Sequence, residues 1–207
     1  MTRVLRLADT PIEVVVDEIA AVLAGGGLVV VPTDTVYGLV AAGDDAAAVA
    51  RIFAAKRRPI EHRIAALVPD TSVAATLVVL GEAGRRLADA FWPGALTLVG
   101  HRTPAAAPVV VGDEHTLGVR CPDHELVRAL ARRLGPLAAT SANRSGTPTP
   151  LDASAAAAAL EVAPDLVVDG GRLGATASTV VDLTGPVPRI RRDGALPAAE
   201  VRAVVGV

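Results

Sequence analysis

The chain has 207 residues, half of them hydrophobic and a fifth charged, which marks a folded globular protein and fits one domain over residues 1–207. Its net charge of −2 gives no overall pull towards nucleic acid, and an aromatic content of 2% leaves almost no platform for base stacking. One cysteine, Cys121, and four histidines without paired spacing (His62, His101, His115, His124) exclude an intrachain disulfide and the multi-cysteine zinc patterns.

In chain order, Pro11 to Leu23 predicts a helix with Val15, Ile19, Val22 and Leu23 on one face. Gly25 to Gly27 ends it. Leu28 to Val31 is an apolar run of the kind that forms a strand buried on both faces. The polar residues Thr33, Asp34 and Thr35 follow at once, where open α/β sheets place ligands. Asp44 or Asp45 caps a second helix, which carries Val49, Ile52 and Phe53 inward and runs into Lys56-Arg57-Arg58 before Pro59. Further strands are expected at 64–68, 95–100, 117–120, 137–140, 166–168, 178–183 and 189–191. Further helices are expected at 72–80, 84–91, 125–134, from Asp152 or Ser154 to about 162, and after Pro197. The segment 103–116, rich in proline and small residues, reads as a mobile loop. This interleaving predicts an α/β fold with a mixed sheet. No apolar run approaches the roughly 20 residues of a membrane span, and the N-terminus lacks a signal-peptide core, so a cytoplasmic location without membrane contact is expected.

Several stretches admit a structural and a functional reading side by side. Thr33-Asp34-Thr35 fits a hydroxyl-capped turn as well as a ligand-facing strand end. Lys56, Arg57 and Arg58 fit the dipole of a helix C-terminus as well as an anion site. Arg120, within an apolar strand, either faces solvent or needs an anionic partner. Thr140-Ser141-Ala142-Asn143-Arg144-Ser145-Gly146 is either an ordinary turn or a loop whose amides and hydroxyls cradle phosphate. No Walker-type phosphate loop and no histidine spaced as a base for Ser141 or Ser145 is present.

Together, PTDTVYGL (residues 32–39), Lys56-Arg57-Arg58-Pro59, Thr116-x-Gly118-x-Arg120-x-Pro122, Ser141-x-Asn143-x-Ser145-Gly146 and Ser178-Thr179-Val180-Val181-Asp182 resemble the YrdC/Sua5 family of threonylcarbamoyl-AMP synthases. The resemblance covers about residues 12–205. It implies a YrdC-like twisted sheet of parallel and antiparallel strands, with packed helices and a concave basic face. It also implies a nucleotidyltransferase that joins L-threonine, bicarbonate and ATP into threonylcarbamoyl-AMP, releasing pyrophosphate, in the first step of threonylcarbamoyladenosine formation in tRNA. Lys56 and Arg58 would be the catalytic pair. ATP would meet Lys56, Arg58, His62, Thr116, Ser141, Asn143, Thr149 and Arg192, and L-threonine would meet Thr33, Thr35, Arg120, Ala139 and Ser178. Arg57 would face solvent. Mg²⁺ would travel with the ATP, with no side-chain ligand assigned. Downstream tRNA threonylcarbamoyl-transfer proteins would be the partners. The alternative is a YrdC-like protein that binds nucleotide or, weakly, double-stranded RNA without synthase activity. The chain departs from the family pattern at His62 (usually asparagine), Arg63 (usually proline, so a charge is added near the phosphates), Leu67 (histidine in some members) and Asp193 (usually proline).

Overall fold

The computed structural model describes residues 2–206. Among them, one sheet runs in the spatial order β1 (Arg3–Arg6), β9 (Leu166–Asp169), β2 (Val29–Val31), β3 (Gly38–Ala42), β8 (Leu137–Ser141), β4 (Ala65–Leu67), β7 (Thr116–Arg120), β6 (Leu96–Arg102), β10 (Thr179–Asp182) and β11 (Arg189–Arg192). A short strand, β5 (Val78–Val79), pairs with β6 beside this run. The pairs β1–β9, β9–β2, β4–β7 and β6–β10 are parallel and the others antiparallel, the mixed sheet that interleaved elements predict.

Side-chain alternation divides the core. Leu28 and Val30 join one apolar cluster, packed by α2 (Ala46–Lys56), α3 (Thr71–Leu77), α4 (Gly81–Phe91), α6 (Ala153–Ala158) and α7 (Ala198–Val205). Val29 and Val31 point to the opposite face and join Ile19, Leu23, Leu126 and Leu130 from α1 (Ile12–Ala24) and α5 (Glu125–Leu134). All four strand residues are fully buried, each stabilising by about 1.5–3 kcal/mol. The apolar run at 28–31 is continuous because both faces of its strand are covered.

Three strands, β1, β3 and β5, lie outside the predicted set. β3 follows β2 as its antiparallel partner, with Val29 opposite Val40, so residues 33–37 form the connection of a hairpin rather than the start of a crossover. Its sequence, GLVAA, is a short run of small and apolar residues directly after the polar turn, with Gly43-Asp44 closing it before α2. β1 is an edge strand with two exposed arginines, too polar to signal burial. Two predicted helices are shorter in the structure. The one expected to reach Leu80 stops at Leu77, where the chain extends to pair with β6. The one expected to reach 162 stops at Ala158, and Glu161 then donates its backbone N–H to Ala55. The segment 103–116 is packed rather than loose. Ala106, Val109 and Val111 are buried, and the Arg102 guanidinium donates to the carbonyls of all three.

Candidate active site

Helices α1 and α5 cover only part of their sheet face. On the remainder, a cavity of about 250 Å³ crosses seven consecutive strands, from β3 to β11. Period-2 alternation fixes its wall: Thr116, Gly118 and Arg120 of β7 face it, as do Ala65 and Leu67 of β4, Thr97 and Val99 of β6, and Ala139 and Ser141 of β8. Small residues make the floor. Four arginines line this cavity (Arg58, Arg63, Arg120 and Arg192), and no carboxylate does among the described residues.

Thr33 ties the β2–β3 connection together. Its hydroxyl donates to the Val36 carbonyl at 2.6 Å and accepts the Thr35 and Val36 backbone N–H groups at 3.1 and 3.2 Å. Thr33 thus builds the hydroxyl turn, and both Thr33 and Thr35 also line the cavity. Arg120 is 7% exposed and spans three segments: Nε donates to the Gly94 carbonyl at 3.0 Å, Nη1 to Thr35 Oγ1 at 3.0 Å and Nη2 to Asp34 Oδ1 at 2.6 Å. Burial pulls its pKa below the ordinary guanidinium value, and Asp34 opposes that pull. Three of its five N–H groups are used, leaving two for a ligand. The sequence places Asp34 in the Thr33-Asp34-Thr35 turn without pairing it to Arg120. The available signal was electrostatic: a buried arginine needs an anion, and this acid lies between two of the cavity hydroxyls.

At the other end, Ser178 Oγ lies 2.8 Å from Thr97 Oγ1, and Arg192 donates through Nε and Nη2 to the Ser178 carbonyl at 3.1 and 2.9 Å. Arg58 donates to the carbonyls of His62 (2.5 Å) and Arg63 (2.9 Å). Burial, then the proximity of Arg192, lowers the Arg58 pKa; burial, then Arg120, lowers that of Arg192. These effects run along a row of cations, Arg58, Arg192 and Arg120, with no carboxylate among the described residues on the wall between them. Among the described residues, Nη1 of Arg58 and Nη1 of Arg192 make no hydrogen bond to protein.

Lys56 and Arg58 diverge because Arg57 adopts a left-handed conformation (φ 45°), closing α2 with the Arg58 and Arg57 N–H groups on the Phe53 and Ala54 carbonyls. That conformation costs a non-glycine residue about 1 kcal/mol. It redirects the chain so that Arg58 faces the cavity, while Lys56, four residues after Ile52 on the buried face of α2, points inward and exposed Arg57 pairs with Glu161 at 3.0 Å. Lys56 is 1% exposed and does not line the cavity. Its ammonium sits under the loop after β8, donating to the carbonyls of Ser141 and Asn143, with Asn143 Oδ1 at 3.4 Å. Burial, then Arg58, brings its pKa down to about 7. Asn143 is buried as well. Its amide donates to the Arg144 and Thr147 carbonyls at 3.0 and 2.7 Å, and its Oδ1 accepts the Ser141 hydroxyl at 2.5 Å. Lys56 and Asn143 thus shape the loop that presents Ser141, rather than opening onto the cavity.

Of the residues singled out in the sequence, the cavity gathers Thr33, Thr35, Arg58, Thr116, Arg120, Ala139, Ser141, Ser178 and Arg192. His62 and Thr149 lie outside its wall; His62 is exposed and meets Arg58 only through its backbone carbonyl. Cys121 is buried, its thiol donating to the Pro69 carbonyl at 3.3 Å, and burial raises its pKa to about 11. Packing is its evident part. Arg189 is exposed on the edge strand, and Arg191 pairs with Asp182 at 2.6 Å.

The sequence and the fold both match known proteins. The family model for Sua5, YciO and YrdC proteins, described as "Telomere recombination", matches residues 21–194. A Mycobacterium tuberculosis protein (strain H37Rv) is 40% identical over 196 residues, covering 93% of this chain and 89% of its own length. The Bacillus subtilis threonylcarbamoyl-AMP synthase is 38% identical over 90% of this chain, which spans only 55% of that relative. Among solved structures, Pyrococcus abyssi Sua5 complexed with L-threonine superposes with a TM-score of 0.88 at 36% identity, over all of this chain and 61% of that one. Escherichia coli YciO superposes with a TM-score of 0.84 at 28% identity, over 94% of this chain and 97% of that one. The chain belongs to the Sua5/YciO/YrdC family.

Proposed function

We propose that this chain is a single YrdC-like domain that synthesises threonylcarbamoyl-AMP from L-threonine, bicarbonate and ATP, releasing pyrophosphate, at the start of tRNA threonylcarbamoyladenosine formation. The observation that carries this reading is the cavity wall, with four arginines, a cluster of hydroxyls and, among the described residues, no carboxylate. Such a wall suits a substrate that is a polyphosphate at one end and a small hydroxylated amino acid at the other. The two free N–H groups of Arg120 would take the carboxylate of threonine, with Thr33, Thr35, Ala139 and Ser178 around the amino acid. Arg58 and Arg192 would take phosphate oxygens beside Ser141 and Thr116, with Lys56 and Asn143 holding the loop and His62 and Thr149 beyond the wall.

The chemistry asks for placement rather than for a covalent nucleophile. The threonine amine and bicarbonate form a carbamate, the new N–C bond replacing a C–O bond of bicarbonate as water leaves with the amine proton; a carbamate oxygen then forms the new bond to the α-phosphorus, and the bond from that phosphorus to the bridging oxygen breaks, so pyrophosphate leaves with its electron pair. The arginine row would stabilise the charge that gathers on the departing phosphates. Among the described residues no group of three His, Cys, Asp or Glu side chains is placed to hold a metal ion. Mg²⁺ would therefore arrive on the phosphates and neutralise part of their charge. Among the described residues no helix is long and apolar enough to cross a membrane. The product would pass to tRNA threonylcarbamoyl-transfer proteins in the cytoplasm.

The test is pyrophosphate release from ATP, Mg²⁺ and bicarbonate, with L-threonine, with L-serine and with neither. Release that depends on threonine supports the reading. Binding of ATP without threonine-dependent release would favour a binding protein of the same fold.

A further inference from the structure

Arg63 is a cavity arginine at a position where the chain departs from the family pattern, which usually has proline there. It lies on the wall with a side chain 54% exposed, and its Nη1 pairs with Asp113 Oδ2 while lying 3.2 Å from Thr116 Oγ1. Exposed ion pairs of this kind are weakly held, because solvent screens them and two long side chains must stay ordered.

The two partners depend on this contact unequally. Asp113 keeps three other donors: the backbone N–H groups of His115 and Thr116 on Oδ1, both at 2.6 Å, and the Thr116 hydroxyl on Oδ2 at 2.7 Å. The loop carrying Asp113 is braced independently, by Arg102 on three of its carbonyls and by the Val110 N–H on the Gly43 carbonyl at 2.8 Å. Losing Arg63 would leave that carboxylate satisfied and that loop anchored. The Arg63 backbone is itself fixed by Arg58, which donates to its carbonyl. Its guanidinium is therefore the movable member, and its position beside Arg58 is set.

We propose that Arg63 is a polyphosphate-binding residue that exchanges Asp113 for phosphate oxygens when nucleotide enters, with Asp113 as the competing anion that parks it in the empty cavity. This rests on reading the cavity as a nucleotide site. A guanidinium can fork onto phosphate as readily as onto a carboxylate, and a polyphosphate brings more charge than Asp113 does.

The exchange predicts opposite effects from the two members of the pair, whereas a structural brace predicts the same effect from both. Calorimetry with inorganic pyrophosphate, with a non-hydrolysable ATP analogue and with L-threonine would be run on the full chain. Arg63→Gln should weaken pyrophosphate and analogue binding about tenfold and leave threonine affinity unchanged. Asp113→Asn, which keeps an acceptor for the loop amides, should tighten both phosphate ligands several-fold. Melting curves would confirm that both variants fold. Weakening by both variants, or an Arg63→Gln affinity within twofold of the parent, overturns the proposal. Failure of the unmodified chain to bind either phosphate ligand would overturn the nucleotide reading itself, and the exchange with it.

Discussion

Asp34 stands behind Arg120, its Oδ1 accepting Nη2 at 2.6 Å, and it does not line the cavity that Arg120 faces. Both side chains are largely buried, 8% exposed for Arg120 and 13% for Asp34, although the Asp34 backbone is open to solvent. The acid thus carries the charge balance of the arginine without occupying the ligand's place. Asp34→Ala would strand a buried cation and should lower unfolding stability by about 3 kcal/mol. Urea unfolding measures this; an unchanged midpoint would show that Arg120 finds another partner.

Lys56 reaches no ligand position directly, so its replacement should act through the loop it holds. Lys56→Met should weaken binding of an ATP analogue while leaving L-threonine affinity nearly intact, because Arg120 lies on β7 and Thr35 in the β2–β3 connection. Calorimetry with each ligand separates the two; a loss confined to threonine would contradict it. A pH signature follows as well. The folded pKa of about 7 lies below that of a free lysine, about 10.4. The unfolded chain therefore binds the extra proton between those values, and this group's contribution to stability is full above about 10.4 and lost as pH falls through about 7. That slope should be absent from Lys56→Met.

Gly194 crosses the backbone that presents Ser178. A Cβ there would lie 2.4 Å from the Ala177 carbonyl oxygen and 2.4 Å from the Ser178 carbonyl carbon, main-chain atoms with little room to yield. Gly194→Ala should destabilise by about 2 kcal/mol and raise the KM for threonine as Ser178 and Arg192 shift. Thermal unfolding with steady-state kinetics checks both; a variant with parental stability would mean that the strand end adapts.

Cys121 should be chemically silent. Its thiol, with burial raising its pKa to about 11, should resist iodoacetamide at pH 8 in the folded chain and react on unfolding. Because the folded pKa lies above that of a free thiol, about 8.5, its contribution to stability is full below that value and lost as pH rises through about 11. Rapid labelling of the folded chain at pH 8 would contradict the packing assigned to it.

What the sequence made legible was whatever alternation, capping and motif spelling encode. The buried run 28–31, the Asp45 cap of α2 and the alternating wall residues of β7 are local patterns, and the structure reproduces them. Less legible were relations between distant segments. The antiparallel pairing of β3 with β8 joins segments about a hundred residues apart, and Asp34 and Asp113 become partners of Arg120 and Arg63 only once the sheet brings their loops together. The turn that sends Arg58 to the cavity depends on a single left-handed residue, Arg57, a conformation that composition does not announce.

The most direct test of the account is mass spectrometry of the product formed from ATP, L-threonine and ¹³C-labelled bicarbonate, by the parent chain and by Arg120→Ala and Arg192→Ala. The account predicts labelled threonylcarbamoyl-AMP from the parent and at least a hundredfold less from either variant, since a few kcal/mol of charge stabilisation is lost at each position. Absence of the labelled adenylate from the parent, with ATP and threonine both bound, would contradict it.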